Sequence, residues 1–153
     1  MRALVQRVSE ARVSVEGRET GAIGLGLLAL VGATHDDRPQ DADWLARKIA
    51  GLRVFPDDAG HMNRDVREAD GAVLVVPQFT LYADTRRGRR PDFVAAARPE
   101  QAEPLVDRLC AALTSDGVRV ARGVFRAHMR VSLINDGPVT VLIETPAHAE
   151  AGS

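Results

Sequence analysis

The sequence predicts a mixed α/β fold in which a strongly curved sheet carries helices on one side. Three observations lead there. Short apolar stretches with strand patterning occupy both ends and the middle of the 153-residue chain. Only two stretches, Asp41–Leu52 and Pro99–Leu113, change to helical spacing. The two helices are interspersed among the strands rather than alternating regularly with them.

Leu4, Val5, Val8, Val13 and Val15 sit among polar residues in broken alternation, and the slip near Ser9-Glu10-Ala11 predicts a β-bulge. Gly17 supports a turn. The nearly continuous apolar run Ile23–Val31 reads as a strand covered on both faces. Leu45, Ile49 and Leu52, with Trp44 beside them, form one face of the first helix. Asp41 and Asp43 suit the positive end of its dipole. Arg53-Val54-Phe55 reads as a short strand closed by the turn-rich Pro56–Gly60. Ala72–Val76 is a buried strand ending at Pro77, which cannot donate to a sheet ladder. Thr80–Pro91 is expected to be a loop. The second helix turns Leu105, Leu109, Ala112 and Leu113 inward. Pro99 suits a first turn, whereas Pro104 moves the expected start of the regular helix toward Glu103. Val118–Val120, Met129–Ile134 and Val139–Ile143 supply the remaining strands.

With 45% apolar and 27% charged residues the chain is not a disordered one, and no apolar run approaches the ~18 residues of a membrane span. Twenty basic against 21 acidic residues leave a net charge of −1, so a polyanionic partner must be held by a local patch. Cys110 is the sole cysteine, which excludes a disulfide framework and a multi-cysteine zinc site and fits a cytoplasmic location. Gln6 and Arg7 break the apolar pattern at the amino end, unlike a signal peptide. No repeat or linker divides the chain. Residues 1–146 are expected to form one domain, with Ala147–Ser153 as a flexible tail.

The familiar catalytic motifs are missing: no Gly-x-Ser-x-Gly elbow, no His-Glu-x-x-His and no Walker lysine loop. Gly21, Gly24, Gly26 and Gly32 precede an apolar strand rather than a helix start, so they read as packing and turn glycines. His35, His61, His128 and His148 lack metal-ligand spacing, and no metal or cofactor is expected. Two segments stand out. In Pro77-Gln78-Phe79-Thr80-Leu81 a buried strand breaks, which frees backbone amides to polarise a ligand carbonyl and brings the Thr80 hydroxyl beside them. A plain strand cap with a core phenylalanine is the competing reading. In Asn135-Asp136-Gly137-Pro138-Val139-Thr140, Gly then Pro between apolar strands marks a tight connection, for which an ordinary hairpin turn is the alternative.

Together these segments resemble the signature motifs of the D-aminoacyl-tRNA deacylases, Ser-Gln-Phe-Thr-Leu and Asn-x-Gly-Pro-Val-Thr. The resemblance extends to Gln6-Arg7-Val8, Leu52-Arg53-Val54-Phe55, Gly60-His61-Met62-Asn63 and Ala83-Asp84-Thr85-Arg86-Arg87-Gly88, in order along nearly the whole chain. It implies barrel-like sheets with helices on one side, in β/β/α layers. It implies a homodimer, with its active site at the subunit interface, that hydrolyses the ester joining a D-amino acid or glycine to the 3′ end of tRNA. Gln78, Phe79 and Thr80 would line the catalytic pocket with Met129 nearby; a positioning role for Thr80 comes ahead of a nucleophilic one, a covalent acyl-threonine being the alternative. Gly137 and Pro138, joined by a cis peptide and supported by Arg7, would be inserted from one subunit into the other's pocket as a chiral filter.

Two departures from the family pattern concern the pocket. Pro77 stands where serine is usual, as in a sister branch that edits an L-alanine mischarge, although that branch lacks the equivalent of Phe79. Phe125-Arg126-Ala127 replaces a typical Phe-Gly-Ala. For the tRNA backbone the candidates are Arg86, Arg87, Arg89 and Arg90, with Arg119, Arg122, Arg126 and Arg130 as a second group. Three further functional readings differ in class or substrate: a non-catalytic nucleic-acid-binding dimer of the same fold, a related deacylase specific for L-alanine, and a small-molecule hydrolase.

Overall fold

A computed structural model describes residues 1–148. Strand β1 (Arg2–Val15) turns through Glu16-Gly17 into β2 (Arg18–Ile23), and the chain continues as β3 (Gly26–Gly32). β2 and β3 lie along the same edge of β1, from Val13 opposite Gly21 to Arg2 opposite Gly32. The expected continuous strand Ile23–Val31 is thus interrupted at Gly24-Leu25. The polar β2 was missed because its residues carry no apolar alternation.

Helix α1 (Pro39–Gly51) follows, and Asp41 holds its first turn by accepting the Arg38 amide at 2.7 Å. A small hairpin, β4 (Phe55–Pro56) with β5 (Met62–Arg64), replaces the predicted Arg53–Phe55 strand, and Asp57 caps its turn by accepting the Ala59 and His61 amides. β6 (Ala72–Pro77) then pairs parallel with β3, and β7 (Arg119–Arg122) parallel with β6. Between them lie a 3-10 turn (Phe79–Tyr82) and helix α2 (Pro99–Ser115). Contrary to the sequence-based start near Glu103, α2 begins at Pro99. Pro104 is tolerated inside it because it forfeits only one intrahelical bond near the start.

The last strand, β8 (Arg130–Glu144), runs antiparallel to β1 along the edge opposite β2 and β3. It joins the two strands expected at Met129–Ile134 and Val139–Ile143 into one, so no hairpin turn lies between them. The expected bulge in β1 is present as a register shift between Val8 and Glu10 against β8. The path β2-β1-β3-β6-β7 curls almost into a barrel. A Cβ at Gly21 of β2 would lie 2.5 Å from the Arg122 carbonyl oxygen of β7.

Both faces of the central strands are covered, as the continuous apolar runs predict. Leu27, Ala29, Val73 and Val75 pack against Leu45 and Ile49 of α1 and Leu109 and Leu113 of α2. Leu28, Leu74 and Val76 face inward onto Val8, Ala11 and Val13. Cys110 belongs to the helix-side core, where burial pushes its thiol pKa up, consistent with a structural role. No described helix is long and apolar enough to cross a membrane.

At Gly26 β3 lies so near β6 that an added Cβ would sit 1.8 Å from the Ala72 carbonyl oxygen. Gly26→Ala is therefore expected to cost more than about 2 kcal/mol of unfolding free energy in denaturant titrations. Gly51→Ala, with nothing within 4 Å at the end of α1, should be neutral or stabilising by up to about 1 kcal/mol.

Candidate active site

At the end of β6 the chain leaves the sheet. The Gln78 amide makes the last rung, donating to the Val31 carbonyl at 2.7 Å. The next two amides, of Phe79 and Thr80, open the 3-10 turn and have no acceptor among the described residues. The break frees two amides, but not that of Gln78. The Gln78 side-chain amide donates to Thr80 Oγ1 at 2.9 Å and fixes the hydroxyl beside them. The turn is tied to β1 by Arg2, which donates to the Leu81 carbonyl at 2.9 Å and lies 4.5 Å from the Tyr82 ring centroid. Gly32 lets β3 pass close beneath, since a Cβ there would lie 2.9 Å from the Gln78 carbonyl oxygen.

Gln78, Phe79 and Thr80 line an open cavity of about 790 Å³. Its floor is the inner sheet face at Leu28 and Val76, and its far lip is the segment Phe125–Met129. Phe79 meets Phe93 edge to face, with ring centroids 5.1 Å apart, yet keeps 59% of its surface exposed. Met129 lines the cavity and accepts the Val124 amide at its sulfur. No Asp or Glu belongs to the lining; among ionisable side chains only Arg126 and His128 do. The chemistry on offer is two unpartnered amides, a held hydroxyl and an apolar wall. That arrangement suits polarising a carbonyl, a term worth ~3 kcal/mol per amide donor, rather than deprotonating a nucleophile. Among the described residues no cluster of His, Cys, Asp and Glu is arranged for a metal ion.

Gly137 and Pro138 lie elsewhere. Opposite Arg7 alone, β8 carries four residues, Asp136 to Val139, between the pairs Gln6–Thr140 and Val8–Asn135. They stand out of the sheet as a corner containing the cis Gly137–Pro138 bond. Asn135 closes its neck, accepting the Val139 amide at 3.0 Å and donating to Thr140 Oγ1 at 3.0 Å, where Gln6 also donates at 3.3 Å. Arg7 donates to the Asp136 carbonyl at 3.0 Å and the Val54 carbonyl at 2.6 Å, bracing the corner against the β4 region. Gly137 has φ +138°, and a Cβ there would lie 2.8 Å from Val139 Cγ2 and 3.1 Å from the Arg7 guanidinium. None of Arg7, Gly137 and Pro138 lines the cavity of its own protomer. The residues selected for the pocket and the filter therefore fall into two groups, cavity and corner.

The arginine loop begins at Ala83, and the mutual amide-carbonyl bonds of Asp84 and Asp92, 2.7 and 2.9 Å, return it to Phe93 at the cavity. Arg86 is occupied by Asp84, and its hydrogen bonds hold that carboxyl down to about 2. Arg87, Arg89 and Arg90 are exposed and pair with no carboxylate among the described residues. In the second group Arg119 and Arg122 are neutralised by Asp70 and Asp107, whereas Arg126 and Arg130 are not paired among the described residues. Sequence reasoning missed Phe93 at the cavity, and Asn135 and Thr140 as the clasp of the corner. Nothing in their spacing marks Phe93, but an Asn and a Thr flanking Gly-Pro signal a side-chain-closed loop.

His148, within the expected tail, bonds Asp41 through its ring at 2.9 Å; residues 149–153 of that tail lie outside the described residues.

Residues 4–144 match the model of a family described as D-Tyr-tRNA(Tyr) deacylase. The D-aminoacyl-tRNA deacylases of Symbiobacterium thermophilum and Chloroflexus aurantiacus are 57% and 58% identical to it over 145 residues. Those residues are 95% of this chain and 96% and 91% of theirs. The solved structure of a c-Myc DNA unwinding element binding protein superposes with a TM-score of 0.89 at 39% identity, over 96% of this chain and 100% of that one. A probable eukaryotic D-amino acid tRNA deacylase shares the fold at TM-score 0.80 and 16% identity, over 93% of this chain and 97% of that one. On this match of sequence and fold, the chain belongs to the D-Tyr-tRNA(Tyr) deacylase family.

Proposed function

We propose that the protein hydrolyses the ester of D-aminoacyl-tRNA, and of glycyl-tRNA, while sparing L-aminoacyl-tRNA. The observation that carries this reading is the cavity beside Thr80, with two unpartnered amides and no carboxylate base. An aminoacyl ester is already activated, so a site that grips its carbonyl needs little further acid–base help. The neighbouring 2′-hydroxyl of the terminal adenosine is available to orient water. Thr80, already accepting from Gln78, positions the substrate.

Chirality is read by the corner of a second copy. Enantiomers exchange the same groups about Cα, so attraction distinguishes them poorly, whereas a rigid wall that leaves space only for hydrogen rejects one of them outright. Gly137-Pro138 is such a wall, and it is not part of the lining of its own protomer's cavity, which leaves it for the cavity of a second copy. β8 favours a dimer: its only strand partner among the described residues is β1, and Ile134 and Leu142 are more than half exposed along it. Glycine has no side chain to meet the wall and passes. Arg87, Arg89 and Arg90, in the loop that leads to Phe93 and without a carboxylate partner among the described residues, meet the acceptor-stem phosphates.

The structural relative named for a DNA element raises a nucleic-acid-binding role for this chain. The net charge of −1 and the intact Thr80 and Gly137-Pro138 segments favour the enzyme.

Purified protein is expected to cleave D-aminoacyl- and glycyl-tRNA at least a hundredfold faster than the L-form; equal turnover of both enantiomers would defeat the chiral reading. Thr80→Ala should lower kcat about tenfold to a hundredfold, with no acyl-enzyme trapped on the wild type by mass spectrometry. Gly137→Ala, which crowds Val139 and Arg7, should reduce the D-to-L preference by at least about tenfold. A preserved preference would contradict the wall.

A further inference from the structure

We propose that Arg126 is a positioning residue that grips a backbone phosphate of the tRNA acceptor end across the mouth of the cavity. This rests on the deacylase reading above. The observation behind it is a residue in an unfavourable place. Val124–Ala127 is a turn closed by the Ala127 amide on the Val124 carbonyl at 3.3 Å, and Arg126 occupies its third position at φ +65°. That position of a type II turn calls for glycine, because an L side chain there meets its own backbone. Among described non-glycine residues only Glu16 and Asp70 share a positive φ, and neither lines this cavity. A non-glycine residue held in this conformation at the lip of a site points toward function.

Its charge points the same way. The cavity lining holds no carboxylate, and Arg126 has no ion-pair partner among the described residues. Its neighbours Arg119 and Arg122 are matched to Asp70 and Asp107. The lip thus presents a cation with planar, forked donors and no internal anion to satisfy it. The substrate carries a matching anion close to the scissile ester, the phosphodiester on the 5′ side of the terminal adenosine. With the ester at the Phe79 and Thr80 amides, that phosphate is to be met by Arg126, which lines the same cavity.

The test compares wild type, Arg126→Gly and Arg126→Lys on D-aminoacyl-tRNA and on D-aminoacyl-adenosine, which lacks the phosphate. Glycine suits the turn, so the fold is kept. For Arg126→Gly the expected result is a KM for the tRNA ester raised about fivefold to twentyfold with kcat within about twofold. The slope of log kcat/KM against log salt should fall by about one. Arg126→Lys should recover part of the KM loss, and the adenosine ester should be cleaved alike by all three. An unchanged KM and salt slope for Arg126→Gly on the tRNA ester, or an equal loss on both esters, would overturn the proposal. Wild-type protein inert toward both esters would overturn the deacylase reading and this proposal with it.

Discussion

Four residues of β8 stand opposite the single Arg7 of β1, and this excess of chain length is the constraint on which the rest depends. Pairing resumes on either side, at Gln6–Thr140 and Val8–Asn135, so the surplus cannot be absorbed by sliding the strands. It leaves the sheet as a corner. Once out of the ladder, its peptide groups need other partners, and Asn135 and Arg7 supply them, with Thr140 accepting from the Asn135 side chain. A hydrogen bond from a charged guanidinium contributes ~1.5–3 kcal/mol, enough to make the corner stiff rather than merely possible. Stiffness is what rejection requires, because a wall that yields by an ångström no longer distinguishes a hydrogen from a methyl group.

The same economy shapes the cavity. β6 ends at a proline, the chain tightens into a 3-10 turn, and two amides are left without acceptors beside a hydroxyl held by Gln78. These are backbone features, fixed by Arg2 on one side and the close approach of Gly32 on the other. Both the proposed catalytic and chiral elements are therefore main chain rather than reactive side chain. Such a site tolerates an apolar lining with no carboxylate, and it works only on a substrate that brings its own activation.

Much of this was legible from residue types. The covered faces of β3 and β6 follow from uninterrupted apolar runs, and the helices from their spacing. Pro77 and the Gly137-Pro138 pair marked the two places where regular pairing fails. Other features were not legible. β2 is polar and is defined only by its place alongside β1. α2 starts at Pro99 because burial of Leu105, Val106 and Leu109 outweighs the bond lost at Pro104. The Gly-Pro segment resembled a hairpin turn locally; that it is an outgrowth of one continuous strand depends on β1, more than a hundred residues away. Phe93 reaches the cavity only because Asp84 and Asp92 close the arginine loop.

The central claim is that the corner of one protomer guards the cavity of another, and subunit mixing tests it most directly. Co-assembly of Gly137→Ala protein with an excess of Thr80→Ala protein gives each intact cavity a neighbour whose corner is intact. The account predicts that such mixed assemblies cleave D-aminoacyl-tRNA and regain rejection of the L-form. If the L-to-D cleavage ratio stays at the value of Gly137→Ala alone, the corner acts within its own chain or not at all, and the account is contradicted.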